Sequence, residues 1–284
     1  NMSKRFLFIT PLTPKRLLTP LRSLLFEQYL NALKKQSYTN WEAILIGEED
    51  NVDGNIKYLS IKAESKEIKL IFAKEYILSL KIKPDYIIRI DDDDVINPFV
   101  LERIADLDFD CYVDADHAFY DLTTGMVSLQ KRDWFANTVV HKCEHAMKEM
   151  EEDQIPLIQC DHSKSWVNYY KNKKVLFANK KSPIYLRVLS PTTVTSGIHG
   201  NNKSTLEKYD DFKSNVVKLR SLEDVDFTAY KSYIKGFGKW KYVVLKDFKD
   251  SQIAFANLWA NFSGDVIKHN IFIKIQILWN SLMV

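Results

Sequence analysis

The sequence predicts an α/β protein built on a mainly parallel sheet. Two observations carry that expectation. Short apolar runs alternate with helix-periodic segments through the first hundred residues, as right-handed β-α-β crossovers require. One of those runs, YIIRI at 86–90, passes without a break into Asp91, Asp92, Asp93 and Asp94. The 284 residues, 46% of them hydrophobic, are enough for one large packed domain or two small ones.

Residues 5–10 form a short apolar run stopped by Pro11 and read as a buried strand. Residues 17–35 have helical spacing, with Leu21, Leu24, Leu25, Tyr29 and Leu33 on one face. WEAILIG at 41–47 reads as a second buried strand, 56–61 as a short third, 65–80 as a helix and 86–90 as the next strand. Ligands of such sheets bind beyond the carboxyl ends of the strands. Residues 10–16, 47–50 and 91–94 are therefore expected along one edge.

The alternation then fades. Residues 110–115 and 125–129 read as strands and 137–152 as a charged helix. Asp161 is placed to cap a helix over 163–170. Residues 171–182 read as a basic loop around VLFA, and 185–189 as a last strand. Residues 201–214 are polar, and 221–284 read as a helical extension rich in Lys and aromatics.

A net charge of +3, from 40 basic and 37 acidic residues, is too balanced to predict nucleic-acid binding. Cys111, Cys143 and Cys160 make no disulfide framework and fit a reducing compartment. The apolar run 6–9 is too short for a signal peptide, and no stretch approaches the ~20 apolar residues of a membrane span. The expected location is the cytoplasm, with the inner face of the membrane as a second option.

Four consecutive aspartates at a strand end repel one another unless a cation compensates. In an extended segment Asp91 and Asp93 would share one direction, and Asp92 and Asp94 the other. Two carboxylates on one side make a hard-oxygen site for Mg²⁺ or Mn²⁺, with open positions for phosphate oxygens. The bland alternative is a solvated acidic turn. Asp91-x-Asp93-x-Val95 also satisfies a phosphatase pattern of the haloacid dehalogenase type, with Asp91 as nucleophile. That family carries its motif on the first strand and a later Gly-Asp-x-x-x-Asp. Here other strands precede the motif, and Gly264-Asp265 is followed by no second Asp.

The segment IIRIDDDDVINPFVLE resembles the hydrophobic strand and D-x-D-D of GT-A glycosyltransferases, and more specifically the rhamnosyltransferase-like family. LRSLLFE from Leu21 and QSYTNWEAIL from Gln36 resemble that family too. The resemblance covers roughly residues 4 to 200. It implies a three-layer α/β/α sandwich over 1–200 that binds a nucleotide sugar, and residues 201–284 are read beside it as a helical C-terminal extension. It further implies a nucleoside-diphosphate sugar donor, Mn²⁺ or Mg²⁺ at the diphosphate, and transfer to a saccharide or lipid-linked saccharide acceptor in surface polysaccharide synthesis. Asp93 would be the direct metal ligand, and Asp91 would contact the ribose or a metal-bound water. Asp92 belongs to the same donor-binding cluster. Thr10, Pro11 and Arg16 would lie along the nucleotide, and Glu48 against the base. This chain has Gly-Glu-Glu-Asp where the common pattern is Asp-Asp-Gly-Ser.

An inverting transfer needs a base near the acceptor hydroxyl. Asp161 is the candidate, with a plain N-cap as the alternative; Glu151, Glu152 and Asp153 are rivals in a charged run. His199 would complete the metal shell or touch the diphosphate; Thr195 and Ser196 could bind phosphate oxygens, and Lys203 could screen them. His141 and His145, four apart with Cys143, Cys160 and His162 near, match no closed zinc motif, so a polar helix surface is expected. The apolar tail 267–284 reads as a packed helix, with a peripheral membrane anchor as the second option. A non-catalytic nucleotide-sugar or metal-binding module is the alternative from outside enzymology.

Overall fold

A computed structural model describes residues 3–63, 65–122, 126–131, 135, 138–149, 164–180, 182–189 and 228–238. Strand β1 (Phe6–Pro11) lies near the middle of a large sheet and is buried along its whole length. Beside it on one side run β2 (Trp41–Gly47), β4 (Ile56–Ser60) and the edge strand β3 (Asn51–Asp53). On the other side stand β5 (Tyr86–Arg89), β10 (Val140–Lys142), β7 (Cys111–Asp114) and β11 (Val175–Ala178). β1 pairs in parallel with β2 and β5, and β2 with β4. β3 returns antiparallel to β4 through a tight turn whose Gly54 has φ +60°, a conformation glycine adopts without a Cβ clash.

Alternation along β1 sets the layers. Phe6 and Phe8 join Leu21, Leu25, Tyr29 and Leu33 of α1 (Pro20–Lys34). Leu7 and Ile9 join Leu70, Ala73 and Ile77 of α2 (Lys66–Ser79) on the opposite face. α1 opens on Thr19, whose hydroxyl accepts the Arg22 N–H at 3.2 Å, with Pro20 just inside. α2 opens on Ser65, which accepts the Ile68 N–H at 3.4 Å. Gly47 lets the β1 loop come close, since a Cβ there would stand 3.0 Å from Leu12 Cδ1. The result is the expected α/β/α sandwich.

Two expectations fail in the second half, and one expected strand is found in a different sheet. Among the described residues 138–149, where a helix was expected, β10 pairs antiparallel with both β5 and β7, and only α4 (Cys143–Ala146) is helical. Val139, Val140 and His141 are fully buried, and the gap between β5 and β7 demands backbone partners that a helix cannot offer. The expected loop around VLFA is β11, parallel to β7. The chain also leaves the large sheet after β7 and enters a second one, in the order β6 (Val95–Ile96), β12 (Tyr185–Leu189), β8 (Asp116–Asp121), β9 (Met126–Lys131). The strand expected over 185–189 therefore belongs to this smaller sheet.

Val100, Leu101 and Ile104 of the short helix α3 (Val100–Ile104) join the main core, and Trp166 and Tyr170 of α5 (Lys164–Tyr170) pack on Cys111, Val113 and Val139. Part of the C-terminal region is described. A 3-10 turn, Thr228–Tyr230, leads into the helix Lys231–Gly238, and Tyr230, Tyr233 and Phe237 join the main core. The Tyr230 hydroxyl donates to the Pro183 carbonyl at 2.8 Å. Residues 267–284 lie outside the described residues. Among the described residues no helix is long and apolar enough to cross a membrane.

Candidate functional site

The carboxyl ends of β1 and β5 open into a cleft of about 400 Å³. One wall is the loop after β1, from Pro11 through Thr13 and Pro14 to Arg16 in the turn Lys15–Leu17. The other wall is the start of α2, Ser65 and Lys66. The four aspartates form the floor, with Arg187 and Val188 of β12 beside them.

The aspartates are folded into a turn rather than extended: the Asp94 N–H donates to the Asp91 carbonyl at 3.3 Å. Their side chains accordingly part company differently from the alternating pattern expected. Asp92 accepts the Thr13 N–H at 2.6 Å and the Thr13 hydroxyl at 3.1 Å, and binds Arg22 at 2.9 Å. Asp93 binds the other Arg22 nitrogen at 2.7 Å. Arg22 Nη2 also donates to the Thr13 hydroxyl. Asp91 turns the other way, to Lys66 Nζ at 2.6 Å. Asp94 accepts the Val188 N–H at 3.2 Å. One acidic turn thus ties the β1 loop, α1, α2 and β12 together.

The charges are unequal in character. Burial works against the Arg22 guanidinium, but Asp93 and Asp92 outweigh it and hold its pKa above the usual range. Burial would raise Asp91, yet Lys66 and Arg89 prevail and hold its carboxyl below the usual range. Asp92 is raised by burial against the pull of Arg22, and Asp94 is raised well up by burial and by Asp93.

This pattern bears on a divalent cation. Asp91 and Asp93 open to the cleft, with side chains 23% and 17% exposed. Asp92 and Asp94, 7% and 2% exposed, are engaged by their neighbours. Asp91 and Asp93 offer carboxylate oxygens, the donor type that Mg²⁺ or Mn²⁺ takes, and each is paired with a cationic side chain, Lys66 and Arg22.

The remaining sequence candidates divide. Pro11 and Arg16 line the cleft. Thr10 does not: it is fully buried, and its hydroxyl bonds the Tyr29 hydroxyl at 2.6 Å. A strand residue facing α1 cannot also face the loop edge, and Thr13 occupies the position expected of Thr10. Glu48 is exposed and accepts the Lys15 N–H at 2.9 Å, so it braces the loop from outside the cleft. Asp161, His199, Thr195, Ser196, Lys203, Glu151, Glu152 and Asp153 lie outside the described residues.

Sequence reasoning missed Arg22, Lys66, Thr13 and Arg187. The available signal was an arginine inside the apolar face of α1, a costly placement without a buried carboxylate partner.

The expected polar helix surface around His141 also fails. His141 sits on β10, fully buried, with Nδ1 2.8 Å from the Tyr170 hydroxyl, and burial pushes its pKa down to about 3. Cys143, its thiol pushed up to about 11 by burial, packs in the apolar layer. Among the described residues, Asp110, Glu144 and His145 bring ligand atoms within 4.8 Å of one another. They stand at the amino-terminal edge of the sheet, opposite the cleft.

No family model matches the chain, and no curated protein matches it. Solved structures do. TarS 1–349 of S. aureus in complex with UDP is 14% identical over 66% of this chain, with a TM-score of 0.38. The chain spans 61% of that protein's length. A 4-diphosphocytidyl-2C-methyl-D-erythritol synthase from Anaerococcus prevotii is 14% identical, over 62% of this chain and 86% of its own, at TM-score 0.37. Rv0371c of Mycobacterium tuberculosis in complex with manganese is 10% identical, over 66% and 88%, at 0.35. Likeness at this level leaves the reaction open, and the functional reading rests on the cleft.

Proposed function

We propose that the chain is a metal-dependent glycosyltransferase that moves a sugar from a nucleoside-diphosphate donor to a saccharide or lipid-linked saccharide acceptor in surface polysaccharide synthesis. The observation that carries this reading is the cleft itself. An acidic turn at the carboxyl end of a central parallel strand lines one open cleft together with Arg16 and Lys66. That is a site for a polyanion together with a cation.

In this reading Asp93 and Asp91 hold Mn²⁺ or Mg²⁺. The bound ion supplies charge neutralisation to the departing diphosphate. Pro11, Thr13 and Arg16 form the nucleotide wall, and Asp92 fixes that wall by accepting both Thr13 donors. Arg22 fixes the floor by clamping Asp92 and Asp93. His199 would complete the ion's shell, and Asp161 would take the proton from the acceptor hydroxyl. In this reading residues 1–200 carry the donor site and residues 201–284 are an extension to it. Nothing in the cleft favours the phosphatase alternative.

The test is a thermal-shift screen of UDP, GDP, dTDP and CDP, each with and without Mn²⁺, on wild type and Asp93→Ala. A ligand at ~100 times its Kd stabilises by about 2.7 kcal/mol, a rise of roughly 5–10 °C. A metal-dependent rise with one nucleotide, lost in the variant, is the expected result. No rise with any of the four sinks the reading.

A further inference from the structure

We propose that Lys66 is an exchangeable counter-ion of Asp91, released to the donor's diphosphate when that carboxylate takes a divalent cation. The proposal rests on the transferase reading and adds to it a residue that couples the two ligands.

The cleft holds its cations in two ways. Arg22 is locked: it is 7% exposed, and it binds Asp92, Asp93 and the Thr13 hydroxyl at once. Lys66 is not. It has one ion pair among the described residues, to Asp91 Oδ1 at 2.6 Å, and its side chain is 38% exposed. Its backbone is nevertheless fixed, because it is the first residue of α2 and Ser65 caps that helix through the Ile68 N–H. A flexible four-carbon stem therefore swings an ammonium about a fixed point on the cleft wall.

The Lys66 ammonium stands where a cation bound to the same Asp91 oxygen would stand. Two positive charges that close repel strongly, so Lys66 and a divalent ion exclude one another at that oxygen. Lys66 displaced from Asp91 remains in the cleft, facing the wall of Thr13, Pro14 and Arg16. The anion within its reach is then the diphosphate of a donor held between those walls. The charge arithmetic follows. With Lys66 on Asp91 the pair is neutral. Exchange adds the two positive charges of the ion to the cleft and frees the ammonium, so a diphosphate is attracted more strongly than before. Each ligand then raises the other's affinity, and Lys66 carries part of that coupling.

The experiment measures Mn²⁺ binding to the full chain by the EPR signal of free Mn²⁺. It compares wild type, Lys66→Met and Lys66→Arg, with no nucleotide and with UDP, GDP, dTDP and CDP in turn. Circular dichroism and melting temperature confirm folding of each variant. The expected result has two parts. Lys66→Met binds Mn²⁺ about fivefold tighter or more without nucleotide, and the gain in Mn²⁺ affinity on adding the nucleotide shrinks by a similar factor. Lys66→Arg tracks wild type. Equal or weaker Mn²⁺ binding by Lys66→Met than by wild type overturns the exchange and leaves the transferase reading standing. No Mn²⁺ binding by any of the three proteins, with or without a diphosphate, overturns the metal site itself, and the exchange with it.

Discussion

Carboxylates gather at both edges of the large sheet, and their surroundings make them different objects. At the carboxyl edge the four aspartates lie in a floor walled by the β1 loop, α2 and β12. At the amino edge Asp110 and Glu144 stand beside His145, Lys142 and Lys174 with Glu144 67% exposed. Strand β7 shows the contrast within a few residues. Asp110, just before it, is held below the usual range: burial opposes this, but the Lys174 N–H and His145 outweigh it. Asp114, at its carboxyl end, is pushed up to about 8 by burial, although it accepts the Ile184 N–H at 2.9 Å. Residue type alone does not decide what an acid does at a sheet edge. The loops that converge there decide how much water it keeps.

The largest expected effect falls on the cleft's central cation. Arg22→Met leaves Asp92 and Asp93 without their guanidinium in a buried setting, at a cost of about 3–5 kcal/mol, read from urea unfolding. A cost below 1 kcal/mol would show that the two edges differ less than their burial implies.

Next comes the pH dependence of the buried acid. Asp114 titrates near 8 in the fold against 3.8 for an ordinary Asp. The folded state binds its proton more tightly, so this contribution is complete below about 3.8 and is lost as pH rises through 8. Its slope reaches at most about 1.4 kcal/mol per pH unit. Asp92 and Asp94, also raised, act in the same direction. His141, depressed to about 3, acts oppositely below pH 6.5 and drops out above it. The clean window is therefore pH 6.5 to 8. There the melting temperature of wild type is expected to fall and that of Asp114→Asn to fall less. Parallel curves would remove Asp114 from the account.

The smallest effect belongs to the amino edge. Lys142→Ala breaks exposed pairs with Glu144 and Asp110 at 3.3 and 3.9 Å, worth about 0–1 kcal/mol. His145→Ala is expected to leave nucleotide-dependent Mn²⁺ binding unchanged in the same EPR titration. A loss there would place the working ion at Asp110, Glu144 and His145 and invert the comparison.

Much of the cleft edge was legible in the sequence because its signals are local. Pro11 ends an apolar run, Ser65 starts a helix, and the aspartates follow YIIRI directly, whereas the helix read from residue 17 starts at Pro20. The boundaries of β2 match the reading to the residue, and those of β4 to within one residue. The site's counter-charges were less legible. Arg22 and Lys66 reach Asp93 and Asp91 across 71 and 25 residues of chain, and no short-range pattern encodes such pairs.

The sequence by itself determined the α/β class, the central strands and the position of the acidic turn, because apolar periodicity and breakers act within a few residues. Only the tertiary structure decided that β10 enters antiparallel between β5 and β7, that β8, β9 and β12 form a second sheet, and which cation each aspartate holds. Those choices depend on which backbone hydrogen bonds and which buried charges remain to be satisfied once the central strands are in place.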